Sequence, residues 1–374
     1  MKSRALRIVL ALTVSLTLFL VISVFYIGPA ASFSSKKGKS TAGSGSTSGS
    51  ASASEALGAK PSKFETKEER RARMVSNEAY RDDFKLSEQE IYLYVQAKGS
   101  NAVSLVAAFE STRDKEYLKT ALEKFPNDPF VQFKALMWVD MPEDERAKLI
   151  DAFQKSSPTN AFPNFLAARA AMSRGDTQTA MAELTAAKAK GYEEYLRESV
   201  QGLEDAYRFT GRSEAEAKVL GSAEITLPHL AQLKNLGKEF LDLAAKAGAR
   251  GDIKTQQQML MFNWDIGHAL REAGGGVPII TEFVGIAMEN AALRDWPKET
   301  NFGDRAARDL VAENNAYRKS VQVATPAFEK WLPTAPDEEI IRYMDISKTS
   351  GEKEAFNWLM QLHPELKDAA RQTK

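Results

Sequence analysis

Beyond Glu65 the chain repeats apolar residues three or four positions apart, the spacing of one face of an α-helix. Leu227, Leu230, Leu233, Leu236, Phe240, Leu243, Ala244 and Ala247 form one such stripe. In 256–270, Met259, Leu260, Phe262, Trp264, Ile266 and Leu270 cover most of the circumference, which predicts a helix buried on more than one side. Strict alternation of apolar and polar residues is nearly absent, so strands are not predicted. Helix starts are marked instead. Ser87 with Glu90 and Ser213 with Glu216 have capping-box spacing, in which each partner satisfies a free backbone N–H. Pro142 before Glu143-Asp144-Glu145, and Pro336 before Asp337-Glu338-Glu339, place acids in a first turn, where the helix dipole favours them. Thr325-Pro326 reads as a further start by the same logic.

The turns recur. Gly175-Asp176, Gly211-Arg212, Gly251-Asp252 and Gly351-Glu352 stand between helical segments, where glycine lets a helix end in a left-handed residue. Phe125-Pro126-Asn127-Asp128 and Ser157-Pro158-Thr159-Asn160 look like loops that close earlier units. Two helices in every 30 to 40 residues predict an all-α solenoid of stacked helical hairpins. A modest boundary falls near Gly221–Thr226, dividing regular repeats over 65–221 from longer helices over 222–374. Asp295–Asp304 is the longest break in the pattern, and Gly274-Gly275-Gly276 reads as a connector, lacking the strand and spacing of a dinucleotide fingerprint.

Within this pattern, Ala161–Tyr192 resembles a tetratricopeptide repeat. Ala168 lies where two helices would approach, Gly175-Asp176 takes the turn, and Ala180, Leu184 and Ala187 take the small and large positions of the second helix. Asn164 and Ala168 stand where the family motif has an aromatic and a glycine. Asp337–Leu366 resembles a final unit, with Ala355, Phe356 and Leu359. The resemblance implies a protein-interaction module whose first helices line a groove. On it, Lys134, Asn164, Arg169, Arg174, Tyr207 and Arg208 are the candidate exposed positions, none of them assigned as a site.

The N-terminus differs. Residues 8–27, IVLALTVSLTLFLVISVFYI, hold no charge and as a helix would extend about 30 Å, the thickness of a bilayer's hydrocarbon core. Lys2, Arg4 and Arg7 precede this run. It exceeds the usual apolar region of a cleaved signal, so residues 1–31 read as a signal-anchor. Small residues at Gly28-Pro29-Ala30 leave secretion after cleavage as the alternative. Residues 32–64, rich in Ser, Gly and Ala, are expected to be a flexible linker, too poor in apolar surface to pack. The order basic, apolar, small favours an extracytoplasmic, periplasmic body.

Charge narrows the chemistry. The chain has 50 basic and 50 acidic residues, but residues 1–60 hold seven basic groups and one acidic, leaving the rest at a net −6. Nucleic-acid binding, which needs a clustered positive field, is not expected. No cysteine excludes disulfides, thiol nucleophiles and cysteine-bound metals. His229, His268 and His363 lack metal-ligand spacing, and no GxSxG elbow exists. No catalytic, cofactor or metal residue is therefore named, and an enzyme is not expected. The expectation is a membrane-tethered interaction scaffold of the cell envelope with protein or peptide partners. An enzyme acting on an envelope polymer and a self-associating assembly factor are the alternatives.

Overall fold

The computed structural model describes residues 66–76, 84–273, 276–296, 301–302 and 305–366. The anchor at 8–27 and the linker at 32–64 lie outside the described residues. Among the described residues no helix is long and apolar enough to cross a membrane.

The described chain is all-helical. The elements are α1 (Lys67–Ser76), α2 (Glu88–Ala97), α3 (Ala102–Thr112), α4 (Lys115–Lys124), α5 (Pro129–Trp138), α6 (Glu143–Ser156), α7 (Phe162–Ser173), α8 (Thr177–Ala187), α9 (Leu196–Phe209), α10 (Glu214–Ala223), α11 (Pro228–Ala249), α12 (Ile253–Arg271), α13 (Ile279–Arg294), α14 (Ala307–Trp331), α15 (Asp337–Ser350) and α16 (Glu352–Leu362). The break before α14 holds a two-residue antiparallel ladder, β1 (Asn301–Phe302) and β2 (Arg305–Ala306).

Local chemistry starts and stops these helices as the residues dictate. Both capping boxes form, Ser87 with Glu90 and Ser213 with Glu216. Pro142 and Pro336 stand at N-caps, one residue earlier than the first helical position. Gly175, Gly211 and Gly251 take positive φ at 76°, 84° and 74°, the left-handed turn that reverses the chain. Thr325-Pro326 is the exception: α14 runs through Pro326 to Trp331. The lost backbone hydrogen bond is outweighed by packing, because Ala327 and Trp331 are buried and Phe328 lies 4.8 Å from the Tyr343 ring and 6.2 Å from that of Phe356.

From α2 to α8 each helix packs on its successor. The order then breaks. α9 returns to α3, crossing it at Gly202, where an added Cβ would stand 2.9 Å from Val103 Cγ1. The Tyr94 hydroxyl donates to the Gly202 carbonyl at 3.1 Å, fixing α2 to the same crossing. α3, α5 and α7 consequently lose contact with water: Ser104 to Ser111 of α3, Phe130 to Leu136 of α5 and Phe162 to Leu166 of α7 are all buried. α4, α6 and α8 bury only a narrow stripe each; the outer faces of α4 and α6 are charged, and that of α8 is polar and uncharged.

α11, α12 and α13 form a second set packed in sequence, α13 followed by α14. Here the backbones nearly touch: a Cβ on Gly267 would lie 2.6 Å from the Gly285 carbonyl, and one on Gly285 2.5 Å from that of Gly267. α15 and α16 pair, and α15 folds back onto α10 and α9. Lys218 to Asp345 at 2.5 Å and Lys348 to Glu204 at 2.7 Å tie that seam. Helix α1 straps it, with Arg71 donating to the Ala335 carbonyl and pairing with Asp337.

Candidate functional site

The two sets of helices meet at the non-helical segment before α9. Residues 191–198, with Thr159, Asn160, Gly276 and Val277, line a cavity of about 440 Å³, open to solvent on one side.

Its floor is rigid. Asn160 clamps the segment twice, its Nδ2 donating to the Glu193 carbonyl at 3.0 Å and its Oδ1 accepting from the Glu193 N–H at 3.2 Å. The same Oδ1 accepts from the Phe162 N–H, which starts α7. The Ala161 N–H donates to the Gly191 carbonyl at 2.7 Å. Side chains 192 and 194 fall on one face, as extended backbone requires, and the Tyr192 hydroxyl donates to Glu194 Oε2 at 3.1 Å. Tyr195 then turns into the left-handed region, at φ 51°, to begin α9 without a side-chain cap.

Glu194 joins the two halves. Its carboxylate is buried, and besides Tyr192 it meets His229 Nε2 of α11 at 2.6 Å and the Thr281 hydroxyl of α13 at 3.1 Å. His229 Nδ1, on the far side of the ring, has no hydrogen-bond partner. It sits against the edges of Phe133 and Phe162, whose centroids lie 5.3 and 5.8 Å from the imidazole. Burial drives the Tyr192 hydroxyl well above the ordinary tyrosine range, and the adjacent Glu194 charge adds to it. His229 and Glu194 are thus a structural knot inside the core.

The outward side is chemically spare. Among the described residues the side chains of Glu193, Arg197 and Glu198 make no hydrogen bond or ion pair. Partial burial and the neighbouring Glu198 push the Glu193 carboxyl upward. Ser157 is held by the Tyr195 hydroxyl at 2.6 Å and has no basic partner. No group of three or more His, Cys, Asp and Glu that could hold a metal ion exists among the described residues. The arrangement can bind polar groups; it does not assemble a nucleophile with a base.

The six candidate exposed positions separate. Lys134 is buried in an ion pair with Glu110 at 2.5 Å. Tyr207 is buried and donates to Glu224, and Asn164 is buried against Glu183 at 2.7 Å. These three cannot line an open groove, because each is buried against a neighbouring segment. Arg208 is spent on Asp205 at 2.5 Å and Arg174 on Glu143 at 3.6 Å. Arg169 remains half-exposed, bonded to Gln232 of α11 at 2.8 Å.

Sequence reading missed Asn160 and Glu194. Asn160 lies in a loop recognisable as a unit boundary, but Glu194, one of two adjacent glutamates, carries no local signal of burial. His268 stacks on Trp264 and meets Glu289 at 3.1 Å, while His363 bridges Glu339 and Glu365. No family model, curated protein or solved structure matches this chain.

Proposed function

We propose that this protein is a membrane-tethered interaction scaffold, anchored through residues 8–27 and presenting its helical body, in the manner of a tetratricopeptide-like array, to protein or peptide partners outside the cytoplasm. The observation that carries this reading is the run of antiparallel helices packed in chain order from α2 to α8, with charged outer faces on α4 and α6. Such a stack offers a long, rigid surface and little enclosed volume. Because the chain's own α9 and α11 fill the inner side, recognition falls to the outer faces and to the seams between the two sets of helices.

The test is affinity capture from envelope membranes with the full chain, after in-cell crosslinking, and quantification against a copy carrying only residues 1–65. Reproducible enrichment of the same partners on the full chain supports the scaffold. Indistinguishable captures from the two baits would overturn it. Protease protection in intact cells tests the proposed side of the body.

A further inference from the structure

The extended segment that enters α9 is bonded along one edge only. Asn160 and Gly191 form an isolated parallel bridge, with the Ala161 N–H on the Gly191 carbonyl at 2.7 Å. Glu193 gives both its backbone groups to the Asn160 side chain, at 3.0 and 3.2 Å. Residues 191 and 193 therefore face the Asn160 loop. Successive residues of an extended chain turn their N–H and carbonyl groups to opposite edges, so those of Tyr192 and Glu194 face away from that loop. Among the described residues these groups have no hydrogen-bond partner. The Tyr192 and Glu194 side chains are taken up inside the core, with each other, His229 and Thr281. Both residues nevertheless line the cavity of about 440 Å³, so what they offer it is backbone. That volume lies in the roughly 300–1,000 Å³ range of ligand sites.

We propose that the free edge of residues 192–194, with the cavity beside it, docks a short extended peptide of a partner protein that carries basic side chains, bound by strand addition. An unpaired strand edge is a template for another chain. The groups on Tyr192 and Glu194 repeat two residues apart, about 6.6 Å, which is the repeat of an added strand. The basic character follows from the lining. Glu193 and Glu198 carry carboxylates with no side-chain partner, and Arg197 is the one basic side chain among the lining residues. An ammonium or guanidinium on the peptide meets these carboxylates, whereas an acidic peptide sets charge against them. A small amine satisfies the charge but leaves the backbone groups unpaired. The assignment rests on the scaffold reading and gives the seam between the two sets of helices a specific ligand.

The experiment uses the full chain in detergent with fluorescein-labelled Thr-Lys-Thr-Lys-Thr amide, followed by anisotropy. The comparators are Thr-Glu-Thr-Glu-Thr amide and the lysine peptide N-methylated at every backbone amide, which keeps both charges and loses the donors. The lysine peptide should bind saturably. N-methylation should weaken it by about tenfold or more, the scale of two lost hydrogen bonds. E193Q and E198Q should each weaken it by about two- to fivefold, the scale of an exposed ion pair, and E123Q on α4 should leave it within about twofold. E193K/E198K should turn the preference toward Thr-Glu-Thr-Glu-Thr. Bound peptide should slow hydrogen exchange at the amides of Tyr192 and Glu194. Circular dichroism of each variant guards against loss of folding, and the N-methylated comparison on wild type carries the test should a variant misfold. No saturable binding, equal binding of the N-methylated peptide, unchanged affinity in E193Q/E198Q, or tighter binding of the glutamate peptide to wild type would each overturn the assignment. Partners captured equally by wild type and E193K/E198K would sink this edge and leave the scaffold standing; a failed capture beside specific binding of the lysine peptide would do the reverse.

Discussion

Replacing Glu194 by alanine removes the one group that three buried donors share. The His229 Nε2 contact at 2.6 Å and the Tyr192 and Thr281 hydroxyls at 3.1 Å all lose their acceptor. A hydrogen bond to a charged group contributes about 1.5–3 kcal/mol, and an orphaned buried donor costs about 1–3 kcal/mol. The three bonds form one network, so their losses do not add. One lost hydrogen bond to a charged group together with the buried donors left without an acceptor sets the expected total at about 3–5 kcal/mol. The damage falls where the Asn160 loop, α11 and α13 meet, so the two sets of helices should uncouple. Urea unfolding of the full chain followed by circular dichroism should show the midpoint falling by about 1–2 M, with a broadened or two-step transition. Glu193→Ala, the exposed neighbour, should stay within about 0.5 kcal/mol of wild type. A Glu194→Ala midpoint within about 0.3 M of wild type, or an equal shift in Glu193→Ala, refutes the assignment of Glu194 as the joint.

Further expectations concern packing and titration. Gly267→Ala places a Cβ 2.6 Å from the Gly285 carbonyl, a clash of backbone that no rotamer relieves; a loss of about 1–3 kcal/mol is expected, and a thermal midpoint equal to wild type would contradict the crossing. His363 is opposed by burial, but hydrogen bonds to Glu339 and Glu365 outweigh it and hold the imidazole above its ordinary range. Its contribution is therefore fully present below about pH 6.5 and lost as pH rises through the raised folded value. With the intrinsic pH dependence of exchange divided out, the protection of α15 and α16 should fall across that interval in wild type and not in His363→Gln. Burial raises the Glu352 carboxyl, although the Ile279 N–H, 2.9 Å away, opposes the rise. Ionising it in the fold costs stability as pH climbs from the ordinary carboxylate range through the raised value. Glu352→Gln keeps an oxygen for the Ile279 N–H and should be equal to or more stable than wild type at pH 7, with the difference vanishing in acid; a destabilised variant at pH 7 would show that the charge is needed.

Sequence alone determined that the body is helical and where most helices begin and end. Ser87, Ser213, Gly175, Gly211 and Gly251 act on their own neighbours, so their effect is written within four residues of chain. The stripe over Leu227–Ala247 gave the buried face of α11, with Leu233, Leu236, Phe240, Ala244 and Ala247 all inside. Pro326 misled because a local rule was overridden by the aromatic contacts of Phe328 and Trp331 with Tyr343. The fates of Lys134, Asn164 and Tyr207 were not legible either, since each looks like a surface residue until another helix covers it. Tertiary structure decided that α9 leaves the stack to cross α3 and that Glu194 meets His229 and Thr281. The physical reason is the same in each case. Helix formation and capping are interactions between residues a few positions apart, whereas the choice of which helix covers which depends on shape and charge brought together across tens of residues, and those carry no fixed spacing in the chain.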